Sequence, residues 1–184
     1  MVLLPKCSFE ESIPHALFYL AGPVTGGGRW QVKAHELLTA TLPKEHRFIA
    51  AFPYNVNGEP SLDGHYLPNR TTFDDKITWE QHYMELAYKP SKRNGCVIFW
   101  LPKEDRENLD KGNLYARDTY VQLGELVGRL MCGKNLRAVI GAEPEFPGLA
   151  RIRKDLQLRL RREFTIYPTL GETVQAAVRM STIT

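Results

Sequence analysis

The chain has 184 residues, of which 43% are hydrophobic and 24% are charged, and its formal net charge at pH 7 is +3. This length predicts one globular domain over residues 1–184, with an N-terminal extension at 1–15. No segment approaches the roughly 18 to 20 apolar residues of a membrane span, and so small a net charge gives no argument for nucleic acid. We therefore expect a soluble, cytoplasmic protein that acts on neither membranes nor nucleic acid.

Five short apolar runs predict strands buried on both faces of a sheet, because the runs are continuous rather than alternating. Helical patterns separate them, and this alternation along the whole chain indicates a parallel sheet with helices on both faces. The predicted strands lie at 16–22, 48–53, 95–102, 136–142 and 164–168, and the predicted helices at 30–42, 72–88, 118–133, 148–163 and 170–180.

Sheets of this kind bind ligands beyond the carboxyl ends of their strands, so the loops after the strands form the candidate site. The first loop, "GPVTGGGRW" at 22–30, contains Gly27 and Arg29 and precedes a helix. Its backbone N–H groups could hold a phosphate or contact a ribose, and a flexible glycine turn is the alternative. The loops at 54–72 and 103–118 are candidate lids because of their length.

The predicted helix 72–88 carries one acidic residue in an otherwise apolar stripe. The stripe consists of Phe73, Ile77, Glu80, Met84 and Ala87, whose spacing places them on one helix face. A carboxylate directed at the core is costly unless it is paired, so we interpret Glu80 as a candidate catalytic residue. The alternative is a side chain at the stripe edge that reaches solvent.

The stretch "YARDTYVQLGE" opens the predicted helix after the third strand. Thr119 and Gln122 have the spacing of a capping box, in which each side chain satisfies a free backbone N–H group. Gln122 is then expected at the margin of the buried stripe, near the cleft. Tyr115, Arg117 and Thr119 are expected to line the mouth of that cleft.

The cysteines and histidines give no signal for a metal site, a disulfide or a Ser or Cys nucleophile. The three cysteines are widely spaced without a CxxC pattern, and the five histidines lack metal-ligand spacing. We expect reduced thiols in the core and no bound metal.

Four motifs together resemble the nucleoside 2-deoxyribosyltransferase family, including its related nucleoside and nucleotide N-glycosidases. They are "FYLAGPV" at the first strand, "WE" in the second helix, "CVIFWLP" as the third strand and "YARDTYVQLGE" after it. The match spans about residues 17–142. The resemblance implies a flavodoxin-like three-layer α/β/α domain with a five-stranded parallel sheet. It also implies a homodimer or larger homo-oligomer with active sites near subunit contacts, and no cofactor.

Members of this family cleave or transfer at the N-glycosidic bond. A glutamate attacks the anomeric carbon, and a second base or water resolves the glycosyl ester. By resemblance, Glu80 takes the position of the acid that handles the leaving base, and Tyr19, Gly22 and Pro23 lie beside the sugar. Gln122 falls on the nucleophile, because the chain reads "QLGE" where the family pattern reads "ELGE".

The amide at this position departs from the family pattern. An amide is nearly isosteric with a carboxylate but neutral, so binding is expected to persist while the chemical step slows by orders of magnitude. Three explanations are open: a deliberate Glu-to-Gln substitution, a diverged binding protein, or replacement by Glu125. The last is the weakest, because three residues correspond to about 4.5 Å along a helix.

The predicted ligand is a nucleoside or a nucleotide. The alternatives are a non-catalytic module that senses nucleotides or nucleotide sugars, and an NAD glycohydrolase. The candidate phosphate ligands are Gly27, Arg29, Arg117 and Thr119. The candidate rings that could stack on a base are Trp30, Trp79 and Tyr66, whereas Trp100, inside a strand, is expected in the core.

Overall fold

The computed structural model describes residues 1–9, 15–54, 62, 73–89, 94–112, 114–160 and 164–182. Its strands are β1 (Val2–Leu3), β2 (Ala16–Ala21), β3 (Phe48–Ala51), β4 (Gly95–Leu101), β5 (Ala138–Ala142) and β6 (Ile166–Tyr167). Its helices are α1 (Trp30–Thr41), α2 (Lys76–Tyr88), α3 (Arg106–Lys111), α4 (Arg117–Met131), α5 (Leu149–Leu160) and α6 (Leu170–Thr182). Most of the predicted lid at 54–72, including Tyr66, lies outside the described residues.

The strands form one parallel sheet in the order β1-β3-β2-β4-β5-β6. This confirms the predicted α/β class and is consistent with a flavodoxin-like fold. The predicted count of five strands is wrong, because β1 pairs with β3 at the sheet edge. The two residues of β1, in the segment predicted as an extension, are too few to show a periodic pattern.

Helices cover both faces of the sheet. Along β2, Leu17 and Tyr19 enter the core that α2, α4 and α5 cover, whereas Phe18 and Leu20 enter the core that α1 and α6 cover. Because alternate side chains of one strand are buried on opposite faces, the strand sequences are apolar throughout. No helix within the described ranges is both long and apolar enough to cross a membrane.

The start of α2 differs from the prediction. The helix begins at Lys76, after Asp75, whose carboxylate accepts a hydrogen bond from the Thr78 backbone N–H group at 2.8 Å. Phe73 therefore lies before the helix, and Ile77 is 68% exposed. The predicted stripe was wrong in its first two members because it was counted from a residue outside the helix.

The buried face of α2 is instead centred on Trp79, Tyr83 and Leu86. These residues are spaced by four and three positions, as the facing residues of a helix are. Glu80 follows Trp79 directly, so it lies at the border of the buried face. The border position explains why its carboxylate is half-buried.

The predicted capping box of α4 is also wrong. The helix begins at Arg117, and its N-cap residue is Ala116, which has a left-handed backbone with φ of 56° and no side chain that caps the helix. Thr119 is buried within the helix. Because the helix starts ahead of Thr119, the first amide groups of α4 have no capping side chain.

Candidate functional site

A cleft of about 420 Å³ opens at the carboxyl ends of β2 and β3, between the starts of α2 and α4. The strand order reverses beside β2, since β3 lies on one side of it and β4 on the other. Ligands of open parallel sheets bind at such a reversal. The cleft is lined by Gly22, Pro23, Val24, Thr25, Pro53, Lys76, Glu80, Leu114, Ala116, Arg117, Asp118, Thr119 and Gln122.

The loop after β2 is rigidly held where it borders the cleft. The indole N–H of Trp30 donates a buried hydrogen bond of 2.9 Å to the Pro23 carbonyl. Gly22 has a φ of 154°, and a Cβ there would lie 2.3 Å from the Trp100 carbonyl oxygen. Only glycine fits this position, and Gly22 and Pro23 both line the cleft.

Glu80 reaches the cleft from α2. Its side chain is 17% exposed, and its carboxylate pairs with the Lys76 ammonium at 3.3 Å. Burial raises the pKa of Glu80; the Lys76 charge opposes the rise, and the negative charge of Asp118 adds to it. A carboxyl group with a raised pKa is suited to donate a proton to a leaving group.

Tyr19 and Gln122 approach each other beside Glu80. The Tyr19 hydroxyl is buried and, within the described part of the chain, has no hydrogen-bond partner. Burial and then the Glu80 charge raise the pKa of Tyr19, while the nearby Gln122 amide favours its ionised form. The Tyr19 hydroxyl does not line the cleft, whereas the Gln122 amide does and can both donate and accept a hydrogen bond there.

The first turn of α4 forms the charged side of the cleft. Arg117 and Asp118 are exposed there, and Thr119 is buried against the cleft wall. With no capping side chain on α4, its first N–H groups are available to an anion. Arg117 and Thr119 were predicted from the sequence to line the cleft, whereas Asp118, which precedes Gln122 by about one helical turn, was not.

Gly27, Arg29 and Trp30 line a different hollow, of about 330 Å³, which also includes Lys33 and Thr169. It lies between the starts of α1 and α6, on the opposite face of the sheet from Glu80. The structure therefore does not bring these three predicted ligands together with Glu80 and Gln122.

The aromatic residues predicted to touch the ligand are engaged elsewhere. Trp79 is fully buried, and its indole N–H donates to the Cys7 carbonyl at 2.8 Å. The half-buried Tyr115 donates its hydroxyl to the Pro102 carbonyl at 2.7 Å and does not line the cleft. Trp100 is in the core, as expected. Among the described residues that line the cleft there is no aromatic ring, and its apolar lining includes Pro53, Val24 and Leu114.

Glu125 lies away from the cleft. Its carboxylate pairs with the Arg129 guanidinium at 2.7 Å, and Arg129 also pairs with Glu85. Since Glu125 is held in this ion-pair network and does not line the cleft, its placement gives no support to its replacing a nucleophile at position 122.

In the described ranges, no three His, Cys, Asp or Glu side chains are placed to hold a metal ion. Cys7 and Cys96 are buried free thiols, whereas Cys132 is exposed, contrary to the expectation of three core thiols. The sequence matches no protein-family model and none of the curated proteins with which it was compared. The resemblance to the deoxyribosyltransferase family therefore stays a prediction based on the four motifs.

Proposed function

We propose that the cleft binds a nucleoside or nucleotide and is built for cleavage or transfer at the N-glycosidic bond. The observation that carries the proposal is that Glu80 of α2 and Gln122 of α4 line one cleft, with Tyr19 of β2 buried next to both. These are the residues that the family resemblance assigns to sugar binding, proton transfer and nucleophilic attack.

The chemistry proposed for this architecture is a double displacement. A carboxylate at position 122 would bond to the anomeric carbon, while the carbon–nitrogen bond breaks and Glu80 protonates the departing base. The raised pKa of Glu80 supports its role as the acid. In this chain Gln122 is neutral, so this covalent route is blocked while the shape of the site is kept.

Two features support an anionic group on the ligand. Lys76 and Arg117 bring positive charge to the cleft, and the start of α4, which no side chain caps, borders it. A 5'-phosphate would complement both, because helix starts and cations bind phosphate. The base-release experiment should therefore include nucleotides as well as nucleosides.

A second candidate function is a sensing module that binds a nucleotide or nucleotide sugar without turnover. The amide of Gln122 favours it directly, because an amide binds polar groups but does not form a glycosyl ester. The sensing module and the blocked enzyme would bind the same ligands in the same cleft. They differ in one respect: a carboxylate restored at position 122 should give base release in the blocked enzyme and none in the sensing module.

We further infer a cytoplasmic homo-oligomer that needs no cofactor. The support for the oligomer is an apolar groove of about 410 Å³ between α4 and α5, whose lining includes Leu123, Val127 and Ile152. Contiguous apolar surface of this kind is typical of subunit contacts. Light scattering on the purified chain should give the mass of a dimer or larger assembly, and a monomer mass would overturn this part of the proposal.

The test is base release from nucleosides, 5'-monophosphates and NAD, followed by chromatography. We expect Gln122→Glu to release base at least about 100-fold faster than the parent chain. Gln157→Glu adds the same charge on the exposed side of α5 and serves as the matched control. The substrate that reacts identifies the class, and reaction of NAD alone would identify a glycohydrolase.

A second substitution tests the proton donor. Adding Glu80→Gln to the Gln122→Glu variant should lower the rate by about 100-fold or more, because general acid catalysis contributes that much. An unchanged rate would remove Glu80 from the reaction. If no variant releases base while ligands still bind, the sensing function replaces the catalytic one.

A further inference from the structure

The cleft contains a second carboxylate that the family pattern does not use. Asp118 lies in the first turn of α4, four residues before Gln122, and both side chains line the cleft. Residues four apart lie on the same helix face, about 6 Å apart along the axis. Asp118 therefore faces the ligand space one turn closer to the helix start than Gln122 does.

Asp118 and Glu80 interact across the cleft although they belong to different helices. Both side chains line the cleft, and the Asp118 charge makes the smallest of the contributions that raise or lower the pKa of Glu80, in the raising direction. Asp118 is exposed and, within the described part of the chain, forms no ion pair. Its carboxylate is consequently available to water, whereas the Glu80 side chain is mostly buried and its carboxylate is paired with Lys76.

Two carboxylates in unlike environments on either side of a cleft are the arrangement that hydrolyses glycosidic bonds. We propose, on the basis of the N-glycosidic function proposed above, that Asp118 is the general base of a direct hydrolysis in the parent chain.

The step balances without a cofactor. The oxygen of a water molecule bonds to the anomeric carbon, and Asp118 takes the proton that the water loses. The carbon–nitrogen bond breaks, its electron pair leaves with the base, and Glu80 supplies a proton to that base. Asp118 then releases its proton to solvent and Glu80 regains one.

The position of Asp118 decides between water and direct attack. Because Asp118 lies about one helical turn from the nucleophile position, the proposal has it activate a water molecule rather than attack the sugar itself. The Gln122 amide oxygen can accept a hydrogen bond from that water. The parent chain should therefore invert the anomeric carbon, whereas the Gln122→Glu variant should retain its configuration through two displacements.

The experiment compares the parent chain, Asp118→Asn and Gln122→Glu, with Asp110→Asn on the exposed side of α3 as the control. Reactions with β-nucleosides and β-nucleotides run in aqueous methanol, and NMR identifies the anomer of the stable methyl glycoside. We expect slow release by the parent with an α product. Asp118→Asn should lower kcat by about 100-fold or more, and Asp110→Asn should not change it.

Azide distinguishes a missing general base from a loss of structure, because azide can restore activity only in the first case. Azide needs no base to activate it, so it should restore base release to Asp118→Asn and produce the α-glycosyl azide. A parent chain without turnover, a β product, or an Asp118→Asn rate equal to that of the parent would overturn this inference. Turnover by Gln122→Glu in that case would leave the proposed function standing, whereas inactivity of every variant would overturn both.

Discussion

Replacing Gly22 with alanine tests whether the border of the cleft has the tight packing described above. An added Cβ would lie 2.3 Å from the Trp100 carbonyl oxygen and 2.7 Å from Cζ2 of Trp30. Neither neighbour can easily retreat, because Trp100 belongs to the central strand β4 and the Trp30 indole is bonded to the Pro23 carbonyl. The clash must therefore strain the loop or the sheet.

Gly28 provides the matched control for this substitution. Its φ of 69° is also positive, but an added Cβ would meet nothing within 4 Å. Both alanine variants share a backbone cost of about 1–3 kcal/mol, and only Gly22→Ala adds an overpacking cost of about 1–3 kcal/mol. For a chain of this size, that difference corresponds to roughly 2–12 °C in Tm.

Thermal unfolding followed by circular dichroism measures both variants under one set of conditions. We expect the Tm of Gly22→Ala to be lower than the Tm of Gly28→Ala by roughly 2–12 °C. Equal Tm values for the two variants would show that the loop relaxes around the new methyl group, and the argument for a fixed cleft border would fail.

Three further predictions concern the residues around the site. Trp30→Phe removes the donor to the buried Pro23 carbonyl and should lower the free energy of unfolding in urea by about 1–3 kcal/mol; no loss would refute the hydrogen bond. The folded state raises the pKa of Glu80 above its ordinary value of 4.5, so it holds that proton more tightly than the unfolded state does. The parent should therefore lose stability relative to Glu80→Gln as pH rises above about 4.5, and a pH series of melts that shows a constant difference would contradict this. Glu125→Gln breaks an exposed ion pair with Arg129 and should cost less than about 1 kcal/mol without changing base release; a loss of release would place Glu125 in the site.

The sequence was most informative about the strands. Apolar runs such as "CVIFWLP" identified β2 to β5, because residues buried on both faces leave a pattern that few other elements produce. A run at 164–168 also identified β6, whose two residues are only partly buried. The edge strand β1 left no such pattern, since two residues cannot show a period. Its pairing with β3 depends on a contact between Val2 and Ala50, which are remote in the chain.

Helix starts were less predictable than helix positions. Thr119 and Gln122 have the spacing of a cap, but α4 begins two residues earlier from the left-handed Ala116. Likewise, the helical phase of α2 depends on its start at Lys76. An error of a few residues at a helix end rotates the predicted face, which is why Ile77 was expected to be buried.

The site itself was partly predictable. Motif resemblance identified Glu80 and Gln122, which the structure places at one cleft. The resemblance gave no indication that the Trp79 indole N–H donates a hydrogen bond to the Cys7 carbonyl, because that bond joins residues distant in sequence. Asp118 was missed because a charged residue in a first helical turn is ordinarily interpreted as favouring the helix dipole.

The most direct test of the central claim is to trap the sugar on position 122. The Gln122→Glu variant, incubated with a 2-deoxy-2-fluoro nucleoside or nucleotide whose second step is slow, should gain the mass of one fluorosugar per chain. Peptide mapping should locate that mass at position 122, and the Gln157→Glu control should gain none. An adduct at another residue, or no adduct while unmodified substrates are cleaved, would contradict the assignment of this cleft as a glycosyl-transfer site.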